Sequence, residues 1–289
     1  MKIIRSIAEM QQIALSAKRD SQSIGFVPTM GYLHEGHQQL LRAGREENHI
    51  LVMSIFVNPL QFGPNEDFDR YPRDEEHDFE VAKQEQVDYV FIPSVEEMYP
   101  TPMSLTLTMQ KRVDVLCGRS REGHFDGVVT VLTKLFHIVL PERAYFGLKD
   151  AQQFAVVDAL VQDFNFPIEL RPISTVRETS GLAKSSRNVY LSSEEKEEAQ
   201  YIYKALQQGQ ALIQNGQKTK SLIINEVIQF IKTHTRGKID YVDLLTYPTL
   251  REIEEVNQRV IIAVAVYFEK ARLIDNLILE ENGELTYSS

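Results

Sequence analysis

Short apolar runs, separated by stretches with helical spacing, recur through the first 170 or so residues of the chain. Runs at 24–27, 50–57, 89–92, 144–147 and 168–170 are rich in Val, Ile, Phe and Tyr and too short for helices, so they predict strands. Between them lie amphipathic segments, one starting at about Gly36 and carrying Leu40, Leu41 and Ala43. Strand alternating with helix predicts a parallel sheet with right-handed crossovers. One segment, 128–140, is apolar on nearly every side and is expected to be a buried helix.

Beyond about residue 176 the pattern changes. Residues 177–189 are polar, without strand alternation, and predict a loop; Ser192-Ser193-Glu194-Glu195 then reads as a helix cap with an acidic first turn. Two helices and an antiparallel set that includes 239–245 and 260–268 complete a smaller α+β domain, so the domains are expected at 1–176 and 177–289. The run 260–268 is the longest apolar one and falls far short of the ~20 residues a membrane helix requires.

Composition narrows the partners. With 289 residues, 43% hydrophobic and 25% charged, the chain has the make-up of an ordinary globular protein. A net charge of −10 argues against a nucleic-acid surface and so against a tRNA-binding module. A single cysteine, Cys117, excludes an internal disulfide and suits a reducing compartment, and Glu9, Gln11 and Gln12 interrupt any apolar N-terminal leader. A cytoplasmic protein with no membrane segment is expected.

The candidate chemistry sits where the first apolar strand ends, in Pro28-Thr29-Met30-Gly31-Tyr32-Leu33-His34-Glu35-Gly36-His37. A helix starting here offers unpaired N–H groups and the positive end of its dipole to a phosphate. Gly31 and Gly36 let backbone approach a ligand, and His34 and His37, three apart, are placed to donate to the same phosphate. The zinc-protease pattern needs histidines four apart on one continuous helix, so no metal site is assigned. Asn58, Gln61, Lys149 and Asp150 also follow strand ends directly, and ligands of open parallel sheets bind beyond the carboxyl ends of the strands. These polar groups are therefore expected to converge on one crevice.

These residues resemble the His-x-Gly-His signature of the nucleotidyltransferase superfamily, and the longer string resembles the pantothenate synthetase family within it. Further matches follow in order: Asn58-Pro59-Leu60-Gln61-Phe62-Gly63, Tyr71-Pro72-Arg73, Gly123-His124-Phe125-Asp126-Gly127, Tyr145-Phe146-Gly147-Leu148-Lys149-Asp150 and Gln152-Gln153. Lys184-Ser185-Ser186-Arg187-Asn188 is similar to the mobile Lys-Met-Ser-Lys-Ser loop, and Arg272-Leu273-Ile274-Asp275-Asn276 matches near the C-terminus. The chain departs from the family pattern at Leu148, where an acidic residue is usual, and at Lys184, where Met is common; His77-Asp78 stands where some relatives carry an acidic pair.

The resemblance implies a Rossmann-like parallel-sheet domain with a smaller C-terminal lid. It implies that ATP and pantoate form pantoyl adenylate and pyrophosphate, and that β-alanine then displaces AMP to give pantothenate. It places ATP, with Mg²⁺, on Met30, Gly31, His34, Gly36, His37, Gly147, Lys149, Asp150, Val176, Lys184, Ser185, Ser186 and Arg187. Of these, His34, His37, Lys149, Ser185 and Arg187 are the expected catalytic groups, Asn58, Gln61 and Gln153 contact the other substrates, and the protein is expected to be a homodimer. Asp150 either caps the following helix or holds ribose. A dinucleotide-forming enzyme on the same fold would need extra basic groups for a second phosphate, and no such cluster is present.

Overall fold

A computed structural model describes residues 1–64, 66 and 68–287. The chain forms two compact units, one made of Met1–Lys111, Arg121–Gly147 and Val156–Ile173, the other of Arg112–Ser120, Leu148–Ala155 and Ser174–Ser289. In chain order the elements up to residue 173 are β1 (Lys2–Ile4), α1 (Ile7–Arg19), β2 (Ile24–Thr29), α2 (Glu35–Glu47), β3 (Ile50–Ile55), α3 (Glu75–Gln84), β4 (Tyr89–Phe91), α4 (Val95–Met98), α5 (His124–Val139), β5 (Arg143–Gly147), α6 (Ala151–Asp163) and β6 (Glu169–Ile173). The six strands pair in parallel in the order β1-β4-β3-β2-β5-β6, which is the expected Rossmann-like sheet.

Parallel strands covered on both faces read as continuous apolar runs, and β2 and β3 are buried along nearly their whole length. Neighbouring strand residues face opposite ways. Val27 packs with Leu40 and Leu41 of α2, Val81 of α3, and Leu51, Met53 and Tyr145, whereas Phe26 meets Phe136 of α5 edge-on at 6.4 Å. As the all-round apolarity of 128–140 predicts, α5 is buried on nearly every side.

Three boundaries differ from expectation. The edge strand β1 has three residues with only Ile4 buried, too short for any alternation to register. At the opposite edge β6 runs on to Ile173 through Pro172, which a sheet edge tolerates because no neighbour needs the missing N–H. Polar His124, which starts α5 four residues early, is nonetheless buried.

The second unit contains α7 (Ser193–Gln214), α8 (Lys220–His234), β7 (Lys238–Thr246), β8 (Val260–Tyr267) and β9 (Arg272–Leu279). Its strands form an antiparallel sheet in the order β7-β8-β9. The cap of α7 is the one the sequence predicts: Ser192 Oγ accepts from Glu195 N at 3.1 Å and Glu195 Oε2 accepts from Ser192 N at 2.8 Å. Ile202, Leu206 and Ile213 of α7 and Ile223, Val227 and Ile231 of α8 pack on Ile262 and Val264 of β8. No apolar run announces β9, because Arg272, Asp275 and Asn276 interrupt it, yet Asp275 and Asn276 are buried. Among the described residues no helix is long and apolar enough to cross a membrane.

Candidate active site

From β2 the chain steps outward to β3 and β4, then returns to place β5 on the other side of β2. The strand order thus reverses between β2 and β5, and at such a switch point the carboxyl ends of the strands open a ligand crevice. Met30 and Gly31 follow β2 at this position. Gly31 has φ +84° and Tyr32 φ +52°, so the turn is held in left-handed backbone conformations that need outside support. Asp78 of α3 supplies that support: its carboxylate, 1% exposed, accepts from Tyr32 N at 2.9 Å and Leu33 N at 2.7 Å. A Cβ on Gly31 would lie 2.8 Å from Asp78 Oδ2. Burial pushes the Asp78 carboxyl above its ordinary 3.8, with the two N–H bonds pulling the other way.

His34 is the N-cap of α2, which begins at Glu35, one residue before the expected start. Its Nδ1 accepts from Gly36 N at 3.1 Å, and Nδ1 of His37 accepts from His34 N at 3.2 Å. A neutral imidazole that accepts at Nδ1 carries its proton on Nε2. Both histidines therefore present Nε2–H donors, on rings whose centroids are 4.1 Å apart at the positive end of a helix. A Cβ on Gly36 would lie 2.8 Å from His34 Cε1, so a larger residue here would push the imidazole from its capping position.

Beyond β3, Asn58 caps a single 3₁₀ turn, Pro59–Gln61, and both Asn58 and Gln61 are buried. The Gln61 carbonyl accepts from His124 Nδ1 at 2.8 Å. Arg121 donates to His124 Nε2 at 3.0 Å and grips Glu66 with two bonds of 2.7 and 2.6 Å, which hold the Glu66 carboxyl below its usual range. Asp78, Arg121 and His124 are absent from the residues that sequence reasoning nominated. His124 lies in the matching motif without a role assigned to it, and apart from the contact between Arg121 and His124 the partners of all three are main-chain atoms or residues far away in sequence.

In the second unit, Leu148–Asp150 forms another 3₁₀ turn. Asn276 of β9 donates to both the Leu148 and Lys149 carbonyls, at 2.9 and 3.0 Å, which fixes the backbone carrying the lysine. Lys149 Nζ lies 3.4 Å from Asp150 Oδ2. Gln152 is a structural amide that binds the Arg112 and Val115 carbonyls, whereas Gln153 is half-buried. The expected polar loop is more ordered than its composition implies. Lys184 N donates to the Val176 carbonyl at 2.9 Å and Glu178 N to Leu182 O at 2.8 Å, closing a small hairpin at Gly181, and Ser185 then caps the 3₁₀ turn Ser186–Tyr190. Arg177 anchors this hairpin through bonds of 2.6 and 3.0 Å to the buried Asp275. Met30, Gly31, His34, Gly36, His37, Asn58, Gln61 and Gly147 belong to the first unit, and Lys149, Asp150, Gln153, Val176 and 184–187 to the second.

The groups offered are almost entirely N–H and O–H donors, which suit phosphate and carboxylate oxygens. Among the described residues no group of three or more His, Cys, Asp or Glu side chains is placed to hold a metal ion. The chain is 60% identical to pantothenate synthetase of Geobacillus sp. (strain WCH70) over 97% of its own length and 99% of the relative's, and 58% identical to that of Bacillus cereus (strain G9842), with 96% and 99% covered. Among solved structures, the Thermus thermophilus pantothenate synthetase superposes with a TM-score of 0.90 at 41% identity, covering 96% of this chain and 99% of that one. The Francisella tularensis pantoate-beta-alanine ligase, solved with beta-gamma ATP and beta-alanine, gives 0.78 at 35%, covering 96% and 97%. The family model described as pantoate-beta-alanine ligase matches residues 2–278, and the chain belongs to that family.

Proposed function

We propose that the chain condenses pantoate with β-alanine at the expense of ATP, through a pantoyl adenylate, using the residues nominated above. The observation that carries the assignment of roles is the pair of Nε2–H imidazoles at the start of α2. In the first half-reaction a pantoate carboxylate oxygen attacks the α-phosphorus and the bond to the bridging oxygen of pyrophosphate breaks. Negative charge shifts onto the leaving pyrophosphate, and positioned donors stabilise it most when they are already aligned. His34, His37, Lys149, Ser185, Ser186, Lys184 and Arg187 are those donors, with Met30, Gly31, Gly36, Gly147, Asp150 and Val176 shaping the nucleotide's surroundings. Gln61 and Gln153 orient pantoate and β-alanine with uncharged amides, which do not neutralise the attacking carboxylate, and Asn58, whose amide is bonded within the protein, acts on the substrates through Gln61.

In the second half-reaction the β-alanine amine attacks the acyl carbon, the bond to AMP breaks, and the amine gives up a proton. Mg²⁺ enters with ATP as part of the substrate, held chiefly by phosphate oxygens, and no protein ligand is assigned to it. It supplies charge neutralisation at the phosphates. The experiment is a product balance: with all three substrates, pantothenate, AMP and pyrophosphate should appear in equal amounts. ADP and phosphate as products would overturn the adenylate route.

The same reading makes the protein a cytoplasmic homodimer, supported by the single cysteine and by membership of the family. Light scattering should return twice the 33.2 kDa chain mass at micromolar concentration; a monomer mass would refute the dimer.

A further inference from the structure

Tyr99, which follows α4, has no place in the machinery described above, yet its hydroxyl lies 2.9 Å from Asn58 Oδ1. Two main-chain groups fix the direction of the Asn58 amide. Leu60 N–H meets Oδ1 at 3.3 Å, and the Gly127 carbonyl meets Nδ2 at 3.0 Å. A backbone N–H only donates and a backbone carbonyl only accepts, so oxygen and nitrogen are assigned without ambiguity. Tyr99 must then donate to Asn58 Oδ1.

The remaining Asn58 hydrogen goes to Gln61 Oε1 at 3.2 Å. With its oxygen engaged, Gln61 turns its NH₂ toward Met30, where Nε2 lies 3.3 Å from the Met30 sulfur. Close packing keeps the chain of contacts in register: a Cβ on Gly127 would lie 2.2 Å from the Leu60 carbonyl oxygen, so α5 sits directly against the 3₁₀ turn. Burial raises the Tyr99 pKa, so the phenol stays protonated and keeps its hydrogen for Asn58.

We propose that Tyr99 is a positioning residue which, acting through Asn58, holds Gln61 with its NH₂ toward Met30, so that Gln61 meets pantoate as a hydrogen-bond donor to a carboxylate or hydroxyl oxygen. This rests on the reading of Gln61 as a pantoate contact. Without the phenol hydrogen, the Asn58 amide keeps its direction through Leu60 N–H and the Gly127 carbonyl but loses its shortest bond, so its Nδ2 holds Gln61 Oε1 less firmly and the Gln61 amide can turn. A turned Gln61 presents its carbonyl oxygen to an anionic substrate, and the two repel.

Steady-state kinetics of Tyr99→Phe, Gln61→Ala and the double variant test the inference. Tyr99→Phe should raise KM for pantoate about fivefold, the size of one neutral hydrogen bond, and leave KM for ATP within about twofold. In the Gln61→Ala background the same substitution should add nothing, because the group it orients is gone. An equal fivefold rise in that background, or no rise in the parent, overturns the proposal. If Gln61→Ala itself leaves KM for pantoate unchanged, the reading of Gln61 fails and takes this inference with it, a result separable from the first two.

Discussion

Lys149 and His37 are proposed to act on charge that is greatest while pyrophosphate departs, which separates them from residues that merely hold the fold. Losing one preorganised donor costs on the order of 3 kcal/mol, or roughly 10²-fold in rate. Lys149→Ala and His37→Ala should slow adenylate formation by about that factor. AMP is already anionic when it leaves, so the second step should slow much less. Supplying synthetic pantoyl adenylate and β-alanine to each variant and timing pantothenate release measures the second step alone. Equal losses in both steps would make these side chains structural. The chemical pair His34 and His37 was legible in the sequence because spacing and flanking glycines are local properties. Which nitrogen each ring presents was not, because that follows from backbone bonds to Gly36 and His34.

The turn between β2 and α2 depends on a helix from elsewhere in the chain. Asp78 lies 46 and 45 residues from the two N–H groups it accepts, so no local pattern marks it, and its neighbour His77 contacts the Leu33 carbonyl at 3.2 Å. Asn276 works over a still longer separation, 128 residues from the Leu148 carbonyl, and resemblance to the family flagged it without disclosing why. The raised Asp78 pKa has a signed consequence. The folded state binds this proton more tightly than the unfolded chain, so the group's contribution to stability falls as pH rises from the ordinary carboxylate value through the raised one. Asp78→Asn lacks that titration. The melting temperature of the variant should therefore gain on that of the parent as pH is raised from about 4 to about 6, whatever the offset between them. A gap that is constant, or that moves the other way, would show that the Asp78 pKa is not raised.

Five strands of the six-stranded sheet were readable because parallel strands buried on both faces leave unbroken apolar runs, and β2 and β3 are the clearest cases; β8 of the second unit, buried along nearly its whole length, was legible for the same reason. What escaped reading was structure whose stabilising partners are remote: the three-residue β1, the polar strand β9, and the hairpin at Gly181 that Arg177 anchors on Asp275. The acidic balance of the chain is compatible with ligands that are anions because their recognition is local, resting on helix ends and a few placed donors and not on net charge. The adenylate route is the step from which every proposed residue role follows. Exchange of labelled pyrophosphate into ATP, measured without β-alanine, tests it directly: exchange should appear when pantoate is added and be absent without it. Exchange that another carboxylic acid supports and pantoate does not, or no exchange with any acid, would contradict the account.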